Sequence, residues 1–338
     1  MRNHSQHHRT STRVLLGAAA LSLTVLSACS GSDEEPVTVG LITKQEDNPY
    51  WVTMREEAQD TADTQDVTLL TATGTSDVDV ESQLAAIEDM VDEGADGILI
   101  APTDSTELVP AIEAARQAGV TVIAVDTPVQ PQSAVDAFYA TDNLRAGELI
   151  GQYAKAKANE LGVEPQIAML DLAPGISSGE LRREGFLEGF GITGDDPQIV
   201  GSADTEGNQE LGESAMAELL ADNPDINVVY TVNEPAALGA ITALNAEGKN
   251  LDDVIVVSVD GGCVAMKEAV RPGDIDATAQ QFPQNMALKG VTAIADQVRG
   301  AAAPSGYLDT GVELITDDPA PGVSSQDVPF GIRNCWGD

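Results

Sequence analysis

From residue 37 onward the chain repeats one rhythm, a short run of β-branched and aliphatic residues followed by an amphipathic stretch. The first half predicts strands over 37–42, 67–71, 97–100 and 120–125, with helices over 50–64, 78–93 and 107–118 between them. The strands are apolar at successive positions, so both of their faces need cover, as in a parallel sheet flanked by helices. Glu93-Gly94 and Ala118-Gly119 supply glycine where a helix end takes a left-handed residue. After Tyr139 the rhythm resumes, with helices over 143–161, 179–190, 210–220, 236–247 and 264–270. Strands over 166–170, 198–202, 227–231, 254–259 and 275–279 alternate with them. Two doubly wound α/β units in series follow. No Pro/Gly/Ser-rich or highly charged stretch separates them near Thr141, so the crossings between units are short and hinge-like rather than a flexible tether.

The first 28 residues do not join this pattern. They carry Arg2, Arg9 and Arg13, no acidic residue, and then an apolar run over 14–28. That is the charged start and short apolar core of a secretory signal, too short for a membrane span of about 20 residues. Leu26-Ser27-Ala28-Cys29 resembles a bacterial lipobox, which makes Cys29 the lipidated first residue of the mature chain and 29–36 a polar tether. The alternative is an ordinary signal peptide followed by a chance cysteine.

Charge and composition then narrow the function. The 338-residue chain has 17 basic and 55 acidic residues, and three of the basic ones lie in the leader. A surface this acidic excludes nucleic acid, whose phosphates need the opposite sign. All three histidines, His4, His7 and His8, are also in the leader. Ser-His and Cys-His nucleophilic centres and the commonest zinc ligand are thereby lost to the mature chain. No metal and no cofactor is called for. Cys263 and Cys335 remain as a disulfide pair suited to an oxidising compartment, with two buried free thiols as the alternative.

Candidate chemistry collects at the carboxyl ends of the predicted strands, where ligands sit in open α/β sheets. The first strand leads into Lys44 and then Asn48-Pro49-Tyr50-Trp51, an amide beside two adjacent aromatics in a chain only 4% aromatic. Such rings stack on the apolar faces of sugars while amides and carboxylates take the hydroxyls. Core aromatics under a loop are the plainer reading. Asp126 and Asp260 each follow a strand, one per half, and suit vicinal hydroxyls. Arg182, Arg183 and Asn233 supply donors, each with a capping or surface role as its alternative.

Taken in order, Asn48-Pro49-Tyr50-Trp51, Ala101-Pro102-Thr103-Asp104-Ser105, Val125-Asp126, Ala140-Thr141-Asp142-Asn143, Val232-Asn233-Glu234, Val259-Asp260-Gly261 and Gln280-Gln281-Phe282-Pro283 resemble the ribose-type sugar-binding proteins of ABC importers, the periplasmic binding proteins of type I. The resemblance runs from about 37 to about 314. It implies two Rossmann-like, doubly wound parallel-sheet lobes joined by a three-strand hinge, with residues 37–141 and 281–311 in the N-terminal lobe and 142–280 and 312–338 in the C-terminal lobe. It also implies a ligand set of Asn48, Tyr50, Trp51, Asp126, Thr141, Arg182, Asn233, Asp260 and Gln281, to which Lys44 is added by position.

Ala101, Thr127 and Val259 depart from the ribose pattern, which has an amide, an arginine and an aromatic there, and Lys44 stands where a small hydroxyl residue is expected. Thr205-Glu206-Gly207-Asn208-Gln209 and Val259-Asp260-Gly261-Gly262-Cys263 look more like the fructose-binding branch. The implied protein is an extracytoplasmic, lipid-anchored monomer that binds a monosaccharide, fructose first, and delivers it to a membrane permease without making or breaking a bond. Three rivals stand beside it. A receptor for a membrane sensor would read the same closed surface, and a transcription-regulator effector domain would need a basic helix-turn-helix in place of the lipobox. A carboxylate enzyme would use Asp126 and Asp260 as acid and base. Flanking Arg, Asn and Gln are expected to hold both carboxylates ionised, which is poor for a general acid.

Overall fold

The computed structural model describes residues 36–337. Its first half contains β1 (Val37–Thr43), α1 (Pro49–Gln65), β2 (Val67–Thr73), α2 (Val80–Asp92), β3 (Gly97–Ile100), α3 (Val109–Gln117), β4 (Thr121–Val125) and β5 (Ala137–Ala140). The second half contains α4 (Asn143–Leu161), β6 (Ile167–Asp171), α5 (Ser177–Phe190), β7 (Ile199–Asp204), α6 (Gln209–Asp222), β8 (Val228–Thr231), α7 (Glu234–Ala246) and β9 (Ile255–Asp260). After these come the short α8 (Cys263–Ala265), β10 (Ala277–Gln280), α9 (Pro283–Val298), β11 (Gly306–Asp309), β12 (Glu313–Ile315) and α10 (Val328–Asn334).

The strands form two six-stranded sheets, ordered β11-β5-β4-β3-β1-β2 and β12-β10-β9-β8-β6-β7. Apart from the antiparallel β10–β12 pair, neighbouring strands run parallel. Each sheet has helices on both faces. In the first, α1 and α9 cover one side around Trp51, Met54, Met286 and Val291, and α2 and α3 cover the other around Ile87 and Ile112. In the second, α4 and α5 face α6 and α7 across the sheet. This is the two-lobe α/β architecture expected of the sequence. The chain passes between sheets at 141–142, 281–282 and 310–312.

The predicted elements lie within a few residues of the observed ones, with two differences. The stretch at 264–270 is not one α-helix, because Met266–Val270 winds as a π-helix after α8. Five elements, β5, α9, β11, β12 and α10, have no counterpart in the predicted pattern. Gly94 and Gly119 do take positive φ, +81° and +98°. The leader and Cys29 lie outside the described residues. Cys263 and Cys335 are joined by a disulfide with Cα atoms 4.9 Å apart.

One packing feature sets the geometry of the second lobe. Gly147 and Gly151 on α4 face Gly185 and Gly189 on α5, and the two backbones touch through them. A Cβ at 147 would stand 2.1 Å from the Arg182 carbonyl oxygen, and one at 185 would stand 2.0 Å from that of Leu144. The contact fixes the start of α4 against the middle of α5, which carry Asn143 and Arg182 respectively. Gly147→Ala should force the helices apart at a cost of about 1–3 kcal/mol, read as a lower urea midpoint. An unchanged midpoint would show that the close approach is not needed.

Candidate functional site

The two aspartates singled out by position, Asp126 and Asp260, leave the ends of β4 and β9 with φ of +62° and +148°. Residues with a Cβ rarely adopt such angles, and holding one there stores roughly 1–3 kcal/mol of strain. Both carboxylates point into the space between the lobes. The Asp126 carboxylate accepts from the Tyr50 hydroxyl (2.8 Å) and the Thr127 hydroxyl (2.8 Å). That of Asp260 accepts from Gln281 Nε2 (2.9 Å) and the Glu234 backbone N–H (3.3 Å).

Arg182 lies between them. It donates through Nε to Asn143 Oδ1 (2.7 Å), through one terminal nitrogen to the Val232 carbonyl (2.9 Å), and through the other to Gln281 Oε1 (3.0 Å). These three bonds hold the guanidinium 3.9 Å from Asp126 and 3.8 Å from Asp260. A bonded arginine–carboxylate pair closes to about 2.8 Å. Here the charges face each other just beyond hydrogen-bond distance, so a hydroxyl lying beside each pair can bond both partners. Lys44 adds a second buried cation. Its Nζ donates to Thr127 Oγ1 (3.0 Å), lies 4.0 Å from Asp126 and stands 5.6 Å from the centre of the Trp51 ring.

Lys44, Asn48, Tyr50, Trp51, Asp126, Arg182, Asn233, Asp260 and Gln281 line one interlobe cavity of about 30 Å³. Thr141 is not among its lining residues. Its hydroxyl faces the Gly311 carbonyl at 3.5 Å, tying two of the crossings together. Three lining residues were not in the expected set, namely Asp77, Leu172 and Ser178. Asp77 sits in a polar loop beside Asp79, and only the fold shows that Asp79 caps α2 while Asp77 turns inward to accept from Gln45 (2.6 Å). Asn233 does both jobs considered for it, capping α7 and lining the cavity, and Asn48 likewise caps α1 while lining the cavity. Trp51 also has two roles. It is 4% exposed within the core of the first lobe, and its indole N–H has no hydrogen-bond partner. Arg183 turns away to Asp171, outside the cavity.

The lobes are shut over this space. Thr127 Oγ1 meets Ser178 Oγ at 2.9 Å, and Ser105 Oγ meets Ser177 Oγ at 2.5 Å. A Cβ on Gly207 of the second lobe would lie 3.4 Å from Asp77 Oδ2 of the first. A space of 30 Å³ holds roughly two waters, whereas ligand sites run from about 300 Å³. A monosaccharide therefore does not fit this space as it stands, although a cavity of about 380 Å³ that shares Asn48 and Asp260 with it also lies between the lobes.

Solved structures share this architecture. An ABC transporter periplasmic solute binding protein from Actinobacillus succinogenes 130z, with bound D-allose, superposes with a TM-score of 0.73 at 26% identity, covering 83% of this chain and 97% of that one. The ribose import binding protein of Escherichia coli (strain K12) is 30% identical, covering 87% of this chain and 94% of its own length. The D-ribose/D-allose-binding protein of Pseudomonas aeruginosa is 29% identical over 91% of this chain and 99% of its own. The family of the periplasmic binding protein domain matches residues 39–302. This chain belongs to that family.

In this periplasmic binding protein the expectation that flanking donors lower the carboxyl does not hold for Asp260. Burial pushes the Asp260 carboxyl up from its usual range despite the opposing charge of Arg182. Glu234 is pushed up by burial and then by the neighbouring Asp260, although its carboxylate accepts the backbone N–H groups of Gly261 and Gly262 and the Thr278 hydroxyl. Desolvation outweighs the hydrogen bonds at both. Burial, with Asp126 next to it, also raises the Tyr50 hydroxyl well above its ordinary value, so it stays a donor. Among the described residues no group of three or more His, Cys, Asp or Glu is placed to hold a metal ion.

A pH dependence follows. Asp276, which accepts from the Val256 N–H (2.7 Å), is pushed up to about 7 by burial. A raised carboxyl binds its proton more tightly when folded, so its contribution is full below the unfolded value of 3.8 and is lost as pH rises through about 7. The Glu234–Asp260 pair acts in the same direction. The unliganded protein should have a higher urea midpoint at pH 5.5 than at pH 8, each proton adding at most about 1.4 kcal/mol per pH unit. Asp276→Asn should flatten the profile, and a variant as steep as the parent would contradict the assignment.

Proposed function

We propose that this protein is the extracytoplasmic receptor of a sugar ABC importer, which traps a monosaccharide between its lobes and hands it unchanged to a membrane permease. The observation that carries the reading is the buried Arg182 held just short of two carboxylates from opposite lobes. A polyol placed there donates to Asp126 and Asp260 and accepts from Arg182 and Lys44, while Trp51 offers an indole N–H with no other partner. Hydrogen bonds to charged groups contribute about 1.5–3 kcal/mol each once closure removes water. A sugar that meets both lobes binds the closed form better than the open one, and only that difference shifts the equilibrium.

In this reading the N-terminal lobe comprises 37–141 and 281–311, and the C-terminal lobe comprises 142–280 and 312–338. Cys29 carries the lipid, 29–36 is the tether, and the receptor works as a monomer beside its permease. D-Fructose is the first candidate ligand. Two of the departures from the ribose pattern, Lys44 and Thr127, are hydrogen-bonded to each other beside Asp126, so the cation that pattern has at 127 is supplied here from 44. D-Ribose and D-allose, named in the relatives, follow. A membrane sensor reading the same closed surface is the remaining alternative partner.

Thermal denaturation of the mature protein with D-fructose, D-ribose, D-allose and D-galactose is the direct test. A sugar at a hundred times its Kd adds about 2.7 kcal/mol and raises the midpoint by several degrees. Asp126→Ala should abolish that shift while leaving the circular dichroism of the parent. Trp51→Ala should lose binding together with about 3–5 kcal/mol of stability, because the ring is also core. Midpoints unmoved by every sugar, or consumption of the bound sugar on long incubation, would reject a sugar receptor of this kind.

A further inference from the structure

The last described residues lie outside the principal helices and strands, yet they touch both lobes. Cys335 is bonded to Cys263, which opens α8 directly after Asp260-Gly261-Gly262. The Cys263 N–H donates to the Trp336 carbonyl (2.9 Å), and Trp336 pairs with Gly262 in an isolated bridge. The tail is thus fixed to the second lobe by one covalent and one hydrogen-bonded tie. Its side chain goes the other way. Trp336 is 6% exposed within the core cluster of the first lobe, edge-on to Tyr50 at 5.2 Å and 82°. Trp51 also meets the Tyr50 ring edge-on, at 4.7 Å and 85°, so Tyr50 contacts both tryptophans. A Cβ on Gly337 would lie 3.0 Å from Pro49 Cβ at the start of α1. The Trp336 indole N–H donates to the Gln281 carbonyl (3.0 Å) at a crossing between lobes.

These contacts meet the candidate site from both sides. Tyr50 donates to Asp126, and Gln281 joins Arg182 to Asp260. We propose that Trp336 is a positioning residue for ligand capture, a disulfide-tethered plug carried by the second lobe that seats against Tyr50 of the first lobe on closure and holds the closed form shut. It is not among the residues lining the 30 Å³ cavity. Parting the lobes must pull the ring from Tyr50 or the tail from Gly262, and the disulfide forbids the second. The seat is fixed by the geometry alone, while its effect on a ligand rests on the sugar-receptor reading. Among rates, such a plug slows dissociation and leaves encounter with the open form unchanged.

The test uses the mature protein and Trp336→Phe, Trp336→Ala and Cys335→Ser variants, with stopped-flow release of whichever of D-fructose, D-ribose or D-allose binds the parent. Trp336→Ala and Cys335→Ser should speed release about tenfold or more with association within about twofold, and Trp336→Phe, which keeps the contact with Tyr50, should recover much of the loss. Unchanged release, or weaker binding carried by association, would overturn the proposal. A ligand-free arm follows the two indole N–H signals by ¹H–¹⁵N hydrogen exchange. The Trp336 signal should exchange more slowly in the parent than in Cys335→Ser, because the tether returns the ring to its seat each time the lobes meet; equal exchange in both would also overturn it. If no sugar binds the parent, the sugar reading falls and the exchange arm decides the seat by itself.

Discussion

A guanidinium taken out of water must be neutralised, and Arg182 is neutralised by carboxylates belonging to different lobes. Asn143, the Val232 carbonyl and Gln281 hold it so that it reaches neither carboxylate fully. The two halves therefore attract each other across a space they do not fill. Shutting the lobes leaves these contacts incomplete until a hydroxyl-rich molecule is enclosed. The hinge crossings, the aspartates at strained backbone positions and the packing of α4 on α5 all serve to keep those three charged groups in register.

The strain at Asp126 and Asp260 is held by particular partners. At Asp260 the Glu234 carboxylate takes the N–H groups of Gly261 and Gly262, while the Glu234 N–H faces the Asp260 carboxylate. This reciprocal arrangement fixes the turn that aims Asp260 inward, and burial is why both carboxyls are raised, with the neighbouring Asp260 adding to the rise at Glu234. At Asp126 the backbone N–H is taken by the Tyr139 carbonyl, and the side chain by Tyr50 and Thr127. Neither carboxylate is free to reorient, which suits recognition by a fixed pattern of acceptors.

Most of the strand–helix alternation could be read because fully buried parallel strands are apolar at every position, and β3 and β4 are such runs. The elements without a predicted counterpart have physical reasons. β5 is four residues containing two alanines, and β12 is a three-residue antiparallel edge, both short of a recognisable pattern. By contrast α9 buries Met286, Ala287, Gly290, Val291, Ile294 and Ala295, a clear helical spacing, so its omission was one of reading rather than of signal. At the site, residues beside punctuating motifs were legible. Asp77, Leu172 and Ser178 were not, because their inward turn depends on loops whose neighbours come from the other lobe. The upward shift of the Asp260 carboxyl could not be foreseen either, since the sequence names its partners but not the depth of its burial.

The central claim is that closure and ligand capture are one event governed by the charges on Arg182, Asp126 and Asp260. Small-angle X-ray scattering with and without a saturating sugar measures that event directly. The account predicts a smaller radius of gyration when the sugar is bound, and loss of both binding and compaction in Arg182→Met. A sugar that binds with no change in radius, or that compacts Arg182→Met as it does the parent, would contradict it.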